Sequence, residues 1–168
     1  LQIDYKSEAL MRGVNIKVIL PSDGMAGKWE PPYKTLYLLP GYSATATELI
    51  TYLGLRGQSE LKGIAIVLPD GENLFYQDLP DRMTFYSTYV GKELVEVTRK
   101  MLPLSTKRED TFIGGISMGG YGALYNGFKY RDTFSKVVAF SPASDAYMLL
   151  AEEDAPGFSR KQFEGIFG

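Results

Sequence analysis

Apolar and polar positions alternate near the start of the chain and then give way to continuous apolar runs. Residues 1–7 and 14–20 predict a half-buried antiparallel pair of strands, because apolar side chains recur at every second position of the second segment. Four continuous apolar runs follow, at residues 35–39, 64–68, 111–116 and 137–140. Such runs predict strands that are buried on both faces, as in a parallel sheet covered by helices.

Helical patterns lie between these strands. Residues 45–53 begin with a threonine and a glutamate that are spaced as in a capping box. Apolar residues recur at helical spacing in residues 90–101, and a further helix is predicted over residues 118–129. The alternation of strands and helices predicts an α/β fold with a mostly parallel sheet, an N-terminal antiparallel pair and helices on both faces.

Length and composition narrow the class of protein. A chain of 168 residues suits one domain, so we expect a single domain over residues 1–168. Hydrophobic residues make up 45% and charged residues 23%, which is typical of soluble globular proteins. The net charge is -2 without a basic cluster, and the apolar runs are too short to span a membrane, which argues against nucleic acid and membranes as partners. Histidine and cysteine are absent, so no metal site is expected.

The stretch TFIGGISMGGYGAL contains the pattern G-x-S-x-G at residues 115–119. A buried strand, this pattern and then a helix together predict a tight turn that lifts the Ser117 hydroxyl above the sheet. The Met118 N–H then lies in the first turn of a helix, where it can stabilise an oxyanion. Ser117 is therefore the candidate nucleophile.

A glycine-rich turn between a strand and a helix can also bind phosphate or simply allow close packing. A P-loop requires a lysine after the glycines, and a dinucleotide fingerprint requires G-x-G-x-x-G. Neither pattern fits this stretch, which favours the nucleophile.

A second turn points to the same chemistry. The run at residues 35–39 leads into Pro40-Gly41-Tyr42-Ser43, the place from which hydrolases of this architecture draw a second oxyanion N–H. Tyr42 would donate that N–H, and Gly41 would let the substrate approach the backbone closely. A plain Pro-Gly turn is the alternative interpretation.

These residues resemble the esterase D and tributyrin-esterase branch of the α/β-hydrolases, which includes carboxylesterases, acetyl and feruloyl carbohydrate esterases and S-formylglutathione hydrolases. The resemblance covers nearly the whole chain and rests on LYLLPGYS, IVLPDGENLFYQD and FIGGISMGGYGAL, with support from KVVAFSPASD. It implies an α/β-hydrolase fold, Ser117 as nucleophile, and an oxyanion hole formed by the N–H groups of Met118 and Tyr42. The chain departs from the family at Pro40, where a histidine that is not the catalytic base is usual.

The resemblance also places residues 70–83 near the mouth of the site. Phe75, Tyr76 and Asp78 are candidates to bind substrate together with Gly41, although aromatic residues in such a loop can instead pack it down. The resemblance implies a small-molecule ester or an acylated carbohydrate as substrate, and it implies no cofactor. We expect a cytoplasmic protein unless a secretion signal has been removed, and the oligomeric state stays open.

The chain lacks the histidine that a catalytic serine of this kind needs. In α/β-hydrolases the acid and the histidine follow the serine along the chain. Asp145 is one candidate acid, with a loop or capping role as the alternative, and the resemblance places the acid one strand later. We therefore expect an N-terminal part of a longer hydrolase, with the triad Asp and His beyond residue 168 and residues 1–168 inactive or nearly so on their own.

The expected activity is that of a serine carboxylic ester hydrolase, which forms an acyl-enzyme on short-chain acyl or carbohydrate-linked esters. Two alternatives stay open. An acyltransferase of the mycolyltransferase type would pass the acyl group to a sugar or another alcohol, and a non-catalytic relative would serve as a binding module.

Overall fold

The structure is a computed structural model that describes residues 1–21, 29–145 and 160–167. Its strands are β1 (Gln2–Ser7), β2 (Arg12–Ile19), β3 (Lys34–Leu39), β4 (Ile64–Pro69), β5 (Asp78–Leu79), β6 (Thr84–Phe85), β7 (Thr111–Ile116) and β8 (Lys136–Phe140). Its helices are α1 (Ala46–Tyr52), α2 (Leu55–Lys62), α3 (Tyr86–Thr88), α4 (Leu94–Met101), α5 (Met118–Lys129) and α6 (Arg160–Phe167). A π-helical turn, Tyr89–Glu93, joins α3 to α4, and 3₁₀ turns occupy Pro80–Arg82 and Arg108–Asp110.

Six strands of the described chain form one sheet in the order β1–β2–β4–β3–β7–β8. β1 pairs antiparallel with β2, and β2 pairs antiparallel with β4. β4, β3, β7 and β8 run parallel to one another. β5 and β6 form a separate two-stranded sheet. The predicted α/β fold, with a mostly parallel sheet and an N-terminal antiparallel pair, is confirmed.

Apolar clusters lie on both faces of the main sheet. On one face, buried residues of α1 and α2 pack with Leu38, Ile66 and Leu68. On the other face, buried residues of the helical segments from α3 to α5 pack with Val67 and Ile113, among others. Because successive side chains of a strand point to opposite faces, β3 and β4 are covered from both sides, as their continuous apolar sequences predict.

β8 is less buried than its continuous apolar sequence predicts. Val138 is 44% exposed and Phe140 is 57% exposed, whereas Val137 packs against the core that includes α5. α5 covers one face of β8, and the opposite face is exposed in the described part of the chain. The prediction that all four apolar runs are buried on both faces is therefore wrong for β8 within the described residues.

The predicted helices lie at the predicted places: α5 has the predicted bounds, and the helix predicted over residues 90–101 consists of a π-helical turn followed by α4. The capping box is confirmed: the Thr45 hydroxyl accepts a hydrogen bond from the Glu48 N–H at 3.3 Å, and the Glu48 carboxylate accepts one from the Thr45 N–H at 2.7 Å. The first predicted helix ends at Tyr52, with Leu53 as its C-cap, and Gly54, with a φ of 58°, turns the chain into α2. No helix in the described ranges combines the length and the apolar character that a membrane span needs.

Candidate active site

Ser117 occupies the turn between β7 and α5. Its φ of 55° and ψ of −117° are a conformation that residues with a side chain rarely adopt, and its side chain is exposed. The Ser117 N–H donates to the Phe140 carbonyl at 2.9 Å, and the Ser117 carbonyl accepts from the N–H groups of Tyr121 at 3.0 Å and Ala143 at 3.1 Å. Strained backbone persists where its surroundings hold it, and it is concentrated at functional sites. The turn presents the Ser117 hydroxyl to solvent.

Two glycines of the motif allow three backbone segments to meet around this turn. A Cβ atom on Gly115 would collide with the carbonyl of Gly119. A Cβ atom on Gly119 would collide with the carbonyl of Leu39, at the end of β3. Because the obstacles are backbone atoms, they cannot move aside as a flexible side chain could. The glycines of the pattern are therefore required where β3, β7 and α5 meet.

The two predicted oxyanion donors belong to different segments, one that follows Ser117 in the chain and one that follows β3. Met118 is the first residue of α5, and the first N–H groups of an α-helix have no partner within the helix and carry the positive end of its dipole. The second segment, residues 40–46, follows β3 and includes the first residue of α1, and we call it the oxyanion loop. A Cβ atom on Gly41 would lie 3.5 Å from the Ser117 Cβ, so the loop directly contacts the turn. The structure thus brings Gly41, which directly precedes Tyr42 in the chain, beside Ser117.

The two aromatic substrate candidates lie beneath the site rather than on its surface. Phe75 and Tyr76 are buried, and Phe75 packs edge-to-face against Tyr121 of α5 with ring centroids 5.7 Å apart. The Tyr76 hydroxyl donates to the Pro40 carbonyl of the oxyanion loop at 2.8 Å. Burial raises the pKa of Tyr76 well above 10, and nearby Tyr86 and Asp70 add to the rise. The hydroxyl therefore stays protonated and remains a donor at neutral pH.

Asp78 also has structural partners. It accepts hydrogen bonds from the Thr88 N–H at 2.9 Å and hydroxyl at 3.0 Å, and it forms an ion pair with Lys129 of α5 at 2.9 Å. Of the four substrate candidates, Gly41 is therefore the one that the structure places against Ser117.

Two residues that were not predicted from the sequence, Asp70 and Asn73, also contact the oxyanion loop. Asp70 directly follows β4, Asn73 lies three residues further on, and both bond to backbone N–H groups of the loop. A signal for them was present, because residues after the carboxyl ends of parallel strands meet at one edge of a sheet. β4 and β7 end at that same edge, so Asp70 and Asn73 lie on the side of the sheet that carries Ser117.

A cavity of about 300 Å³ lies beside the oxyanion loop. Its lining is mostly apolar and consists of Tyr42, Ser43, Ala44, Glu48, Leu49, Tyr52, Leu53 and Ile116. Ile116 directly precedes Ser117, so the cavity reaches within one residue of the candidate nucleophile. A concave, largely apolar site with a few polar groups is typical of small-molecule binding.

No catalytic partner of Ser117 lies in the described residues. Its hydroxyl has no hydrogen-bond partner in residues 1–21, 29–145 and 160–167, and the chain contains no histidine. Asp145 is exposed and makes no hydrogen bond or ion pair with another described residue. The same part of the chain holds no cluster of metal-binding side chains. The described site consists of the turn that carries Ser117, the candidate nucleophile, and of the oxyanion loop.

Comparisons with known proteins point to one family. A family model named Esterase and described as "Putative esterase" matches residues 7–161. An acetyl esterase from Caldicellulosiruptor saccharolyticus is 40% identical over 148 residues, which cover 85% of this chain and 56% of that protein. An S-formylglutathione hydrolase from Paracoccus denitrificans is 28% identical over 188 residues, which cover 98% of this chain and 62% of that protein.

Solved structures give the same result. The fluorophosphonate-binding serine hydrolase F of Staphylococcus aureus, solved with substrate bound, superposes with a TM-score of 0.83 at 28% identity. The superposition covers 98% of this chain and 65% of that structure, which confirms the α/β-hydrolase fold. This chain thus spans 56% and 62% of the lengths of the two sequence relatives.

Proposed function

The chain belongs to the esterase family, and from that membership we propose that the protein that carries it is a serine carboxylic ester hydrolase acting through an acyl-enzyme. One observation supports this more than any other. Ser117 is exposed in a strained turn between β7 and α5, with the backbone of Gly41 against it. That geometry presents a hydroxyl to substrate with two candidate N–H donors beside it.

The proposed reaction places negative charge on the carbonyl oxygen of the substrate. Ser117 Oγ attacks the ester carbonyl carbon, and the carbonyl oxygen becomes an oxyanion that the N–H groups of Met118 and Tyr42 stabilise. A general base takes the Ser117 hydroxyl proton and passes it to the departing alkoxide, so that the tetrahedral intermediate expels the alcohol and leaves the acyl group on Ser117. Water, deprotonated by the same base, then attacks the acyl-enzyme, the acid leaves, and Ser117 recovers its proton. In serine hydrolases, loss of a single oxyanion donor lowers kcat on the order of a hundredfold to a thousandfold.

We further propose that the general base comes from outside these residues. The chain contains no histidine, and a serine hydroxyl without an adjacent base is a poor nucleophile. An Asp and a His outside residues 1–168 would complete the triad in the whole protein. Residues 1–168 alone would then retain only the rate enhancement that an oxyanion hole contributes.

The proposed substrates are small esters with a short acyl chain, including acyl groups carried by carbohydrates. The cavity of about 300 Å³ beside the oxyanion loop, which Ile116 also lines, supports a small substrate. The names of the two sequence relatives, an acetyl esterase and an S-formylglutathione hydrolase, also support short acyl groups. Because both relatives are hydrolases, they favour water over a second alcohol as the acyl acceptor.

Replacement of Ser117 tests this proposal. In the protein that carries the chain, Ser117→Ala is expected to lower kcat/KM for p-nitrophenyl acetate at least about a thousandfold, because the nucleophile is lost. Thr106→Ala is the matched control, since Thr106 is an exposed hydroxyl that precedes β7 and lies at the opposite edge of the sheet. A Ser117→Ala protein with unchanged activity would contradict the proposal, and an inactive unsubstituted protein would favour the binding-module alternative.

A further inference from the structure

Three side chains of the loop after β4 bond to backbone groups of the oxyanion loop. These bonds are 2.7 to 2.8 Å long, and they run from the Tyr76 hydroxyl to the Pro40 carbonyl, from the Ser43 N–H to Asn73 Oδ1, and from the Ala46 N–H to Asp70 Oδ1. The three backbone groups lie at the start, the middle and the end of the oxyanion loop. We call residues 70–76 the bracing loop, because its side chains contact the oxyanion loop along its length.

The middle contact acts one peptide away from a predicted oxyanion donor. Ser43 has a φ of 58°, a left-handed conformation that is uncommon for a residue other than glycine. Asn73 contacts this residue twice, since it accepts from the Ser43 N–H at 2.7 Å and donates to the Ser43 hydroxyl at 3.3 Å. Because each peptide is planar, the orientation of the Ser43 N–H also determines that of the Tyr42 carbonyl. Asn73 therefore restrains the backbone of Tyr42.

Tyr76 connects the oxyanion loop with the helix that carries the other predicted donor, Met118. Asn126 of α5 donates from Nδ2 to the Tyr76 carbonyl at 3.2 Å. The Tyr76 ring packs so closely on α5 that a Cβ atom on Gly122 would collide with it. Tyr76 is 0% exposed, so water does not compete for its hydrogen bonds. One residue thus contacts both segments that supply the N–H groups.

The backbone of the bracing loop is itself strained at this point. Phe75 and Tyr76 have φ values of 55° and 57°, so two consecutive residues with side chains adopt the left-handed conformation. Such conformations persist only where the surroundings over-determine them. Burial of both rings and the bonds of Tyr76 supply that restraint.

We propose that Asn73 and Tyr76 are positioning residues of the oxyanion hole, and that Asp70 anchors the far end of the same loop. This proposal rests on the ester hydrolase function proposed above. Both side chains act through the backbone, by keeping the Tyr42 N–H at the separation from the Met118 N–H that a developing oxyanion requires. Their loss would weaken transition-state stabilisation while leaving ground-state binding of the ester nearly unchanged.

Removal of the bracing hydrogen bonds tests the proposal in the protein that carries this chain. Tyr76→Phe keeps the buried ring and removes only the bond to the Pro40 carbonyl, and Asn73→Ala removes the contacts with Ser43. Each substitution is expected to lower kcat for p-nitrophenyl acetate about tenfold with KM nearly unchanged. Affinity for a trifluoromethyl ketone, whose adduct with a serine carries an oxyanion, should fall by a similar factor.

Tyr37→Phe is the matched control. The Tyr37 hydroxyl is buried and hydrogen bonds to the Thr98 hydroxyl at 2.8 Å, away from the oxyanion loop. It should lower the melting temperature as Tyr76→Phe does and leave kcat unchanged. If Tyr76→Phe matches this control in kcat, the positioning proposal is overturned while the hydrolase proposal stands. If the unsubstituted protein neither hydrolyses the ester nor binds the ketone, both proposals are overturned.

Discussion

The Ser117 N–H donates to β8 and the Ser117 carbonyl accepts from α5, so the backbone of the candidate nucleophile is restrained from two sides. The same turn has no room for a side chain at either flanking glycine of the motif, because backbone carbonyl groups occupy the space. Single atoms therefore decide whether β3, β7 and α5 can meet around Ser117. At the residue scale, we therefore predict the effect of adding a methyl group where two backbone segments approach closely.

Substitution of Gly119 is expected to be severe. Gly119→Ala would drive a methyl group into the Leu39 carbonyl, and overpacking of this kind should lower the free energy of unfolding by about 3 kcal/mol. Gly57→Ala is the control, because no atom lies within 4 Å of its Cβ position in α2. It should raise the free energy of unfolding by about 0.5–1 kcal/mol, since alanine favours helix. Urea denaturation measures both free energies of unfolding. If the two substitutions changed that free energy equally, the predicted collision at Gly119 would be disproved.

At the residue scale, the sequence was more informative about the turn than about what surrounds it. The spacing of glycines around Ser117 and the Pro40-Gly41 turn predicted two segments that the structure brings into contact. It did not reveal Asn73 or Asp70, because their hydrogen bonds join residues that are 30 and 24 positions apart in the chain. Phe75 and Tyr76 are buried, since hydrophobic burial and not substrate contact determines where those rings lie.

At the element scale, one buried side chain joins α5 to two of its neighbours. Asn126 is 0% exposed, and its amide donates to the Tyr76 carbonyl at 3.2 Å and to the Gly122 carbonyl at 2.8 Å. Its Oδ1 accepts from the Ser87 hydroxyl of α3 at 2.7 Å. A buried polar side chain with all these partners satisfied aligns α5, α3 and the bracing loop.

Loss of this network should be costly. Asn126→Leu keeps a similar volume but removes the acceptor of the Ser87 O–H and the donor to the buried Tyr76 carbonyl, while Lys129 Nζ still donates to Ser87 Oγ at 2.9 Å. We expect the free energy of unfolding to fall by about 2–4 kcal/mol, since an unsatisfied buried polar group costs on the order of 1–3 kcal/mol. Asn15→Ala, which removes an exposed bond to Asp4, should change it by less than about 0.5 kcal/mol. Thermal or urea unfolding measures the stability of both variants. Equal stability of the two variants would disprove the role of the network.

Elements with strong hydrophobic patterns could be predicted from the sequence, and short ones could not. β3, β4 and β7 each form a continuous apolar run, and α5 follows the glycine motif at the predicted place. α2 escapes prediction because its sequence, LRGQSELK, is mostly polar and contains a glycine. β5 and β6 have two residues each, which is too short for any periodicity.

At the scale of the whole molecule, the structure describes an α/β-hydrolase sheet, the turn that carries Ser117 and the oxyanion loop beside it. The chain spans 56% of the acetyl esterase and 65% of the serine hydrolase structure to which it is similar. A base for Ser117 is absent from its described residues, and the sequence has no histidine to supply one. The proposed chemistry therefore requires residues outside this chain.

A comparison of the isolated chain with the whole protein checks that requirement. Residues 1–168 expressed alone are expected to hydrolyse p-nitrophenyl acetate at a rate lower by at least about a thousandfold, because an oxyanion hole without a base supplies only part of the catalysis. Circular dichroism should accompany the assay to establish that the fragment is folded. Ester turnover by the fragment at the rate of the whole protein would refute the external base.

The identity of the nucleophile is the central claim, and covalent labelling tests it most directly. The protein that carries this chain would be treated with a fluorophosphonate and digested, and the modified peptide identified by mass spectrometry. We predict a single phosphonylated residue, Ser117, within the sequence TFIGGISMGGYGAL. A label on any other residue, or no label on a protein that hydrolyses esters, would contradict the claim.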